Sequence, residues 1–146
     1  MKTEIAPHTE VAIYQAMASP RLEIKLADAT PLGNDVWRVR VGVANTGWLP
    51  TDVTKHARAK KIVLPATVEI NGPGGAAPDL VEGEARVRIG QLEGRAKFLL
   101  DGGAMSDGTP DRHLHTWLVR ARAGSTLAVT ATHPRAGTAT AKVTLG

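Results

Sequence analysis

The sequence contains no cysteine, which excludes disulfide bridges, thiolate metal sites and thiol nucleophiles. Its only aromatic residues are three tryptophans, one tyrosine and one phenylalanine, so the core must be built mainly from valine, leucine, isoleucine and alanine. No stretch approaches the ~18 uninterrupted apolar residues that a membrane-spanning helix requires, and we expect no membrane partner. A chain of 146 residues has the usual size of one domain.

Motifs of the common catalytic sites are also missing from the sequence. It has no Gly-x-Ser-x-Gly turn for a nucleophilic serine, no phosphate-binding glycine-rich loop and no dinucleotide-binding fingerprint. None of the five histidines is followed by glutamate three residues later, so the His-x-x-Glu pair that holds zinc in several peptidase families does not occur. We therefore predict that this chain alone is not an enzyme and carries no cofactor.

Positive charge is in modest excess, with a net charge of +4 and a pI near 9.8. A basic run covers residues 55–61, and other arginines alternate with apolar residues at Arg38, Arg40, Arg86 and Arg88. A nucleic-acid interface would need stacking aromatic side chains interleaved with these cations. Because that pattern is not there, we expect a charged loop, solvated strand faces and no nucleic-acid partner.

A helical pattern is confined to the start of the chain. Thr9 is a candidate N-cap and Ser19-Pro20 ends the segment. The apolar residues between them form one broad face, made of Val11, Ile13, Tyr14 and Met17. A helix of about ten residues is not stable alone in water. We therefore expect residues 8–18 to fold back on the rest of the chain or to self-associate.

The hydrophobic period changes from 3.6 to 2 after Pro20. Short alternating segments separated by Gly- and Pro-rich turns predict β-strands over 22–26, 37–43, 62–70, 85–89, 96–100, 113–121, 127–132 and 138–145. This pattern predicts an all-β antiparallel sandwich of immunoglobulin or fibronectin type with seven or eight strands; a small barrel is the alternative. We assign residues 1–20 to a connector helix and residues 21–146 to the sandwich.

Two histidines form a candidate metal site. His113 and His115 lie on one face of a predicted strand, with Asp111 at the same parity. The competing interpretation is that this is the polar, solvent-facing start of a strand. We expect the three remaining histidines, at positions 8, 56 and 133, to be solvated.

Tryptophans and one loop complete the candidate residues. Trp37 and Trp117 share strand faces with valines, which indicates core positions. Trp48 lies in the turn 45–51 and is either an exposed sugar-binding platform or a plug at the end of the sandwich. The loop 101–108 could loosely hold calcium through its two aspartates, although it lacks the ligand spacing of an EF-hand; a plain flexible loop is the alternative.

Four segments carry a resemblance to a known family: residues 8–24, 41–51, 115–120 and 129–138. Together they resemble the C-terminal region that follows the catalytic domain in large bacterial zinc carboxypeptidases of the carboxypeptidase A-like metallopeptidase family. The resemblance implies an accessory sandwich whose partner is the preceding peptidase domain, with residues 8–19 as the last helix of that domain or the connector from it. It also implies zinc in that catalytic domain, where a His-x-x-Glu pair and a later histidine hold the metal. None of these catalytic residues can be carried over to this chain.

Three functions therefore compete. The leading expectation is a non-catalytic accessory domain of a zinc carboxypeptidase that removes C-terminal residues from peptides. The alternative is a freestanding immunoglobulin-like module that binds carbohydrate or protein through Trp48 and neighbouring loops. A metalloenzyme built on His113 and His115 comes third.

Overall fold

The computed structural model describes residues 2–52, 54–96 and 110–146. Within these residues lie the helices α1 (Lys2–Ala18) and α2 (Lys55–Ala59) and a 3₁₀ turn at Pro73–Gly75. The strands of the described residues are β1 (Leu22–Gly33), β2 (Val36–Asn45), β3 (Ala66–Asn71), β4 (Leu80–Glu82), β5 (Arg86–Gly90), β6 (Arg112–Arg120), β7 (Thr126–His133) and β8 (Gly137–Thr144).

The strands form two antiparallel sheets of four strands each. The first sheet has the order β1-β2-β6-β4 and the second has the order β5-β3-β7-β8. This arrangement confirms the predicted all-β antiparallel sandwich with a short N-terminal helix. Among the described residues, no helix is both long enough and apolar enough to cross a membrane.

Alternate side chains of both sheets point inward and make the core. The first sheet contributes the valines of β2 and the tryptophans, and the second contributes aliphatic residues of β3, β7 and β8. Trp37 and Trp117 are buried, as predicted, and their indole N–H groups donate to the carbonyl oxygens of Ala121 and Glu84, each at 2.9 Å. Burial of these rings therefore leaves no indole donor unsatisfied.

Helix α1 is longer than predicted, because it begins at Lys2 and passes through Pro7 instead of starting after Thr9. The apolar side chains in its described part, residues 9–18, do not cover the sandwich. The exposed fractions of Val11, Ile13, Tyr14 and Met17 are 56%, 55%, 74% and 75%. The expectation that the helix folds back is therefore wrong for this chain, while self-association stays a prediction.

Several strand boundaries also differ from the prediction. The strand predicted over 62–70 begins only at Ala66, directly after Pro65, and Ile62 and Leu64 are exposed. The short strand β4 carries too little alternation to be recognised. The strand predicted over 96–100 lies, apart from Ala96, outside the described residues, as does the candidate calcium loop.

Part of the basic run forms helix α2 instead of a loop. The hydroxyl of Thr54 accepts from the backbone N–H of Ala57 at 3.1 Å, which caps the helix. Lys61 then takes a left-handed conformation with φ of 52° and ends the segment. The sequence signal for this helix is the Thr54 cap, which the charge pattern of the run conceals.

Candidate functional site

The turn after β2 holds Trp48 in solvent. The side chain of Trp48 is 43% exposed, and the neighbouring Leu49 is exposed as well. Of the two interpretations of Trp48, an exposed platform agrees with this exposure better than a plug at the end of the sandwich does.

A single buried amide holds this turn in shape. The side-chain nitrogen of Asn45 donates to the carbonyl oxygen of Leu49 at 2.8 Å. Its side-chain oxygen accepts from the backbone N–H groups of Arg21 at 2.9 Å and Gly47 at 3.0 Å. Asn45 therefore joins the start of β1 to both ends of the turn, and a buried amide with this many partners makes the turn rigid.

Neighbouring segments clamp the turn from two sides. A Cβ atom at Gly47 would overlap the backbone of Ser19 and Pro20, and one at Gly94 would overlap the carbonyl group of Trp48. The carbonyl oxygen of Trp48 also accepts from the N–H of Ala96 at 3.0 Å. The backbone that carries the Trp48 indole therefore has no room to withdraw the ring into the protein.

The turn is also tied to the end of α1. The backbone N–H of Leu49 donates to the carbonyl oxygen of Ala18 at 3.0 Å. Beside this junction lies a groove of about 500 Å³, and we call it the Trp48 groove. Its side chains come from both segments and include Met17, Arg21, Glu23, Thr46, Trp48 and Arg95.

The Trp48 groove contains an ionised carboxylate. Hydrogen bonds from Lys25, first, and from Thr46, whose hydroxyl lies 2.9 Å from the carboxylate, lower the pKa of Glu23 below its ordinary value. An aromatic face next to a charged hydrogen-bonding group suits a polar ligand that has one apolar face.

The structure places His113 and His115 on the inward side of β6, at the same parity as Trp117. The expectation of a solvent-facing polar side is therefore wrong, since both rings are half-buried. Their ring centroids are 6.2 Å apart in a stacked arrangement, and the ring centroids of His115 and Trp117 are 4.4 Å apart in a T-shaped arrangement. Burial, and to a lesser degree the neighbouring His113, lowers the pKa of His115.

A metal site at this pair lacks the required third ligand in the part of the chain that the structure describes. No three side chains of histidine, aspartate or glutamate approach one another closely enough there to hold an ion. Asp111, the third member suggested by the sequence, pairs with Arg112 at 3.0 Å. The inward position of the two imidazoles instead fits packing at one end of the core.

The expectation that His133 is solvated is wrong, because its side chain is buried at the β7–β8 turn. Its Nδ1 atom accepts from the backbone N–H groups of Arg135 and Ala136, both at 3.1 Å. This acceptor role requires the neutral ring with its proton on Nε2. Nε2 is buried without a hydrogen-bond partner among the described residues, and His56 is exposed as expected.

Arg58 belongs to the basic run, but it is not the solvated charge that the sequence predicts. It forms ion pairs with the buried carboxylate of Asp52 and with Glu93, the latter at 3.2 Å. Helix α2 thus anchors the segment after the Trp48 turn to the residues that follow β5. The arginines at 38, 40, 86 and 88 are exposed, as predicted.

Comparison with known families identifies the sandwich as a defined unit. Residues 21–144 match the family model described as Domain of unknown function (DUF8731). The chain belongs to the DUF8731 family. No curated protein matches it. The DUF8731 region contains both sheets, Trp48 and the buried residues of the core except Leu145, whereas α1 precedes it.

Proposed function

We propose that this chain is a non-catalytic accessory sandwich of a zinc carboxypeptidase-like protein. Its partner is the peptidase domain that precedes it in the longer protein, and that domain holds the zinc and removes C-terminal residues from peptides. The observation that carries the proposal is the uncovered apolar face of α1, joined rigidly to a sandwich that has a complete core of its own.

The junction between α1 and the sandwich supports this role. The hydrogen bond from Leu49 to Ala18 and the buried Pro20 hold the end of the helix against the Trp48 turn. Met17 lines the groove next to Trp48. Met17 therefore lies beside the exposed turn, and we call the exposed apolar residues of α1 (Val11, Ile13, Tyr14 and Met17) together with Trp48 and Leu49 the connector face.

The connector face is large enough to matter energetically. Each apolar side chain that passes from water into a packed interface contributes about 1.5–3 kcal/mol. Val11, Ile13, Tyr14 and Met17 expose more than half of their surface, so covering them would favour the assembly by several kcal/mol, before the loss of motion is subtracted. A catalytic domain packed on this face would therefore be held in one orientation relative to the sandwich.

Two measurements test the proposal. The complete reading frame is expected to encode a domain with a His-x-x-Glu pair upstream of this chain. Purified separately, that domain is expected to bind the chain in sedimentation velocity experiments, and Tyr14→Ser with Met17→Ser is expected to abolish the complex.

The matched control is Leu32→Ser with Ile62→Ser, because these side chains are also exposed but lie outside the connector face. This control should bind like the wild type. A reading frame without a catalytic domain, or a complex that resists the α1 substitutions, would reject the proposal.

The exposure of Trp48 favours one second candidate, a freestanding carbohydrate-binding module. A rigid turn that holds an indole beside the ionised Glu23 has the elements of a sugar platform. Because Trp37 and Trp117 are buried, quenching of tryptophan fluorescence by acrylamide reports mainly on Trp48. Protection of this fluorescence by an oligosaccharide, lost in Glu23→Gln and kept in Leu49→Ala, would favour the module over the accessory domain.

A further inference from the structure

A second groove lies on the outer face of the second sheet, far in sequence from the connector face. Its volume is about 830 Å³, and strands β3, β5 and β7 form its floor. Leu64, Pro65 and Pro134 lie together at one end of this floor, because Thr67 at the start of β3 pairs with Thr132 near the end of β7. We call it the Arg88 groove after the cation at its centre.

Strand register lines up three polar side chains across this floor. Arg88 on β5 is paired with Thr67 on β3, and Thr67 is paired with Thr132 on β7. Paired residues on adjacent antiparallel strands project to the same face of a sheet, about 5 Å apart. One guanidinium and two hydroxyl groups therefore form a continuous row of hydrogen-bond donors.

Arg88 is the available cation of this row. It makes no ion pair or side-chain hydrogen bond with any residue that the structure describes. The neighbouring Arg86 lies 4.0 Å from the carboxylate of Glu69 in an exposed pair, which is a weak interaction. A planar guanidinium without a partner among the described residues, next to the hydroxyl group of Thr67, is suited to bind a carboxylate through two hydrogen bonds.

The charge of the lining side chains differs between the two ends of the groove, so an extended ligand would bind in one orientation. Glu84, Arg86 and Arg88 follow one another at every second position on or just before β5 and all line the groove. At about 3.3 Å per residue, Glu84 and Arg88 are separated by roughly 13 Å. The groove therefore favours a negative group at the Arg88 end and disfavours one at the Glu84 end.

The walls favour a peptide over a sugar. Leu64, Pro65 and Pro134 are aliphatic, and the exposed fraction of Leu64 is 66%. None of the described lining residues is aromatic, whereas sugar rings are usually bound on aromatic faces. Aliphatic walls instead match the apolar side chains of an extended peptide.

We infer that the Arg88 groove binds a carboxylate of an extended peptide, with Arg88, Thr67 and Thr132 as its donors and Leu64 and the prolines contacting the flanking apolar residues. The carboxylate belongs either to the C-terminus of the peptide or to an acidic side chain. This site shares no residue with the connector face, so its failure and the failure of the proposed function are distinguishable.

The test uses short alanine–leucine peptides and the ¹⁵N-labelled full chain. One peptide has a free C-terminus, the second is the same peptide amidated, and the third is amidated but contains an internal glutamate. We expect the first or the third to shift the backbone amide signals of Leu64, Thr67, Arg88 and Thr132, and the second to leave them unchanged. Which of the two acts identifies the source of the carboxylate.

Variants separate a specific contact from general charge attraction. Arg88→Gln is expected to weaken binding about tenfold, as the loss of a charge-assisted hydrogen bond does, and Arg88→Lys is expected to weaken it less. Arg38→Gln is the matched control, because Arg38 is an exposed arginine on the other sheet. Thr67→Val removes a hydroxyl and keeps the β-branched shape, and we expect intermediate weakening.

Three results would overturn the inference. The first is the lack of any shift with both carboxylate peptides. The second is equal weakening by Arg88→Gln and Arg38→Gln, which would indicate attraction by net charge alone. The third is binding of an anionic sugar oligomer, such as oligogalacturonate, at these residues in place of the peptides.

Discussion

Apolar side chains are buried in the sandwich but exposed on helix α1. Val39, Val41 and Val43 on β2 are completely or almost completely buried, whereas Tyr14 and Met17 on α1 expose about three quarters of their surface. The strands find partners in the same chain, because alternation gives each sheet an apolar face that the other sheet covers. The helix has an apolar face that no described part of the sandwich covers, and the proposed function assigns the cover to the preceding domain.

The largest expected effect concerns the buried core of the sandwich. Trp117→Ala should destabilise the protein by about 3–5 kcal/mol, since it removes a fully buried indole from between the sheets. Chemical denaturation measures the change. Leu114→Ala on the same strand is the control, because Leu114 points outward and is exposed; a larger effect for Leu114 would contradict the assigned faces.

The second effect concerns the turn where the two regions meet. Asn45→Ala should destabilise the protein by about 2–3 kcal/mol, because it leaves two backbone N–H groups and one carbonyl group without their side-chain partner. Acrylamide quenching of Trp48 should change in the same variant. Asn71→Ala serves as the control, since its amide makes only a long contact of 3.5 Å with Glu69. Equal stability of the two variants would show that the turn does not depend on Asn45.

A smaller effect is expected from pH at the β7–β8 turn. Burial, as the main cause, lowers the pKa of His133, so the native state favours the neutral ring. The stabilisation is fully present above the unfolded pKa of about 6.5 and is lost progressively as pH falls below it. Protonation of Nδ1 would also remove the acceptor of the Arg135 and Ala136 N–H groups.

Denaturation midpoints measured between about pH 7.5 and 5 check this expectation. His133→Gln should flatten the pH dependence of stability. His115→Gln is the necessary comparison, because the lowered pKa of His115 contributes with the same sign. An unaltered slope in His133→Gln would exclude His133 as the main source.

Deleting residues 1–19 removes the exposed helix α1, and we expect this deletion to change the free energy of unfolding little. Every strand of the described residues lies beyond Pro20, and none of the helix side chains that the structure describes, at residues 9–18, belongs to the buried core. Light scattering should show association of the full chain and a monomeric truncated chain. If the truncated protein does not fold, α1 belongs to the domain and the boundary at residue 20 is wrong.

The isolated chain is expected to have no peptide-hydrolysing activity. The isolated chain should release no C-terminal residue from peptides and should retain no zinc after dialysis, because it lacks the His-x-x-Glu pair. Metal analysis and a peptide-release assay check both statements. Stoichiometric zinc, or turnover that His115→Ala abolishes, would contradict them and favour the metalloenzyme alternative.

Much of the fold could be predicted from the local pattern of apolar and polar residues. Particular elements show which features that pattern could not predict. Alternation located most strands and assigned Trp37 and Trp117 to the core. It could not locate β4, which has only three residues. The candidate site was predicted only as far as Trp48, since the Arg88 row depends on a register between β5, β3 and β7 that no single strand contains.

By itself, the sequence determined the fold class, because it has alternating apolar strands and no helical period after Pro20, which leaves a second sheet to cover the apolar face of the first. It also determined which classes of catalytic chemistry lack their residues. Only the tertiary structure decided that Trp48 is held in solvent, that His133 is buried, and that Arg58 pairs with Asp52 and Glu93. The physical reason is that each of these environments is made by segments far apart in the chain, whose approach depends on the packing of the whole sandwich.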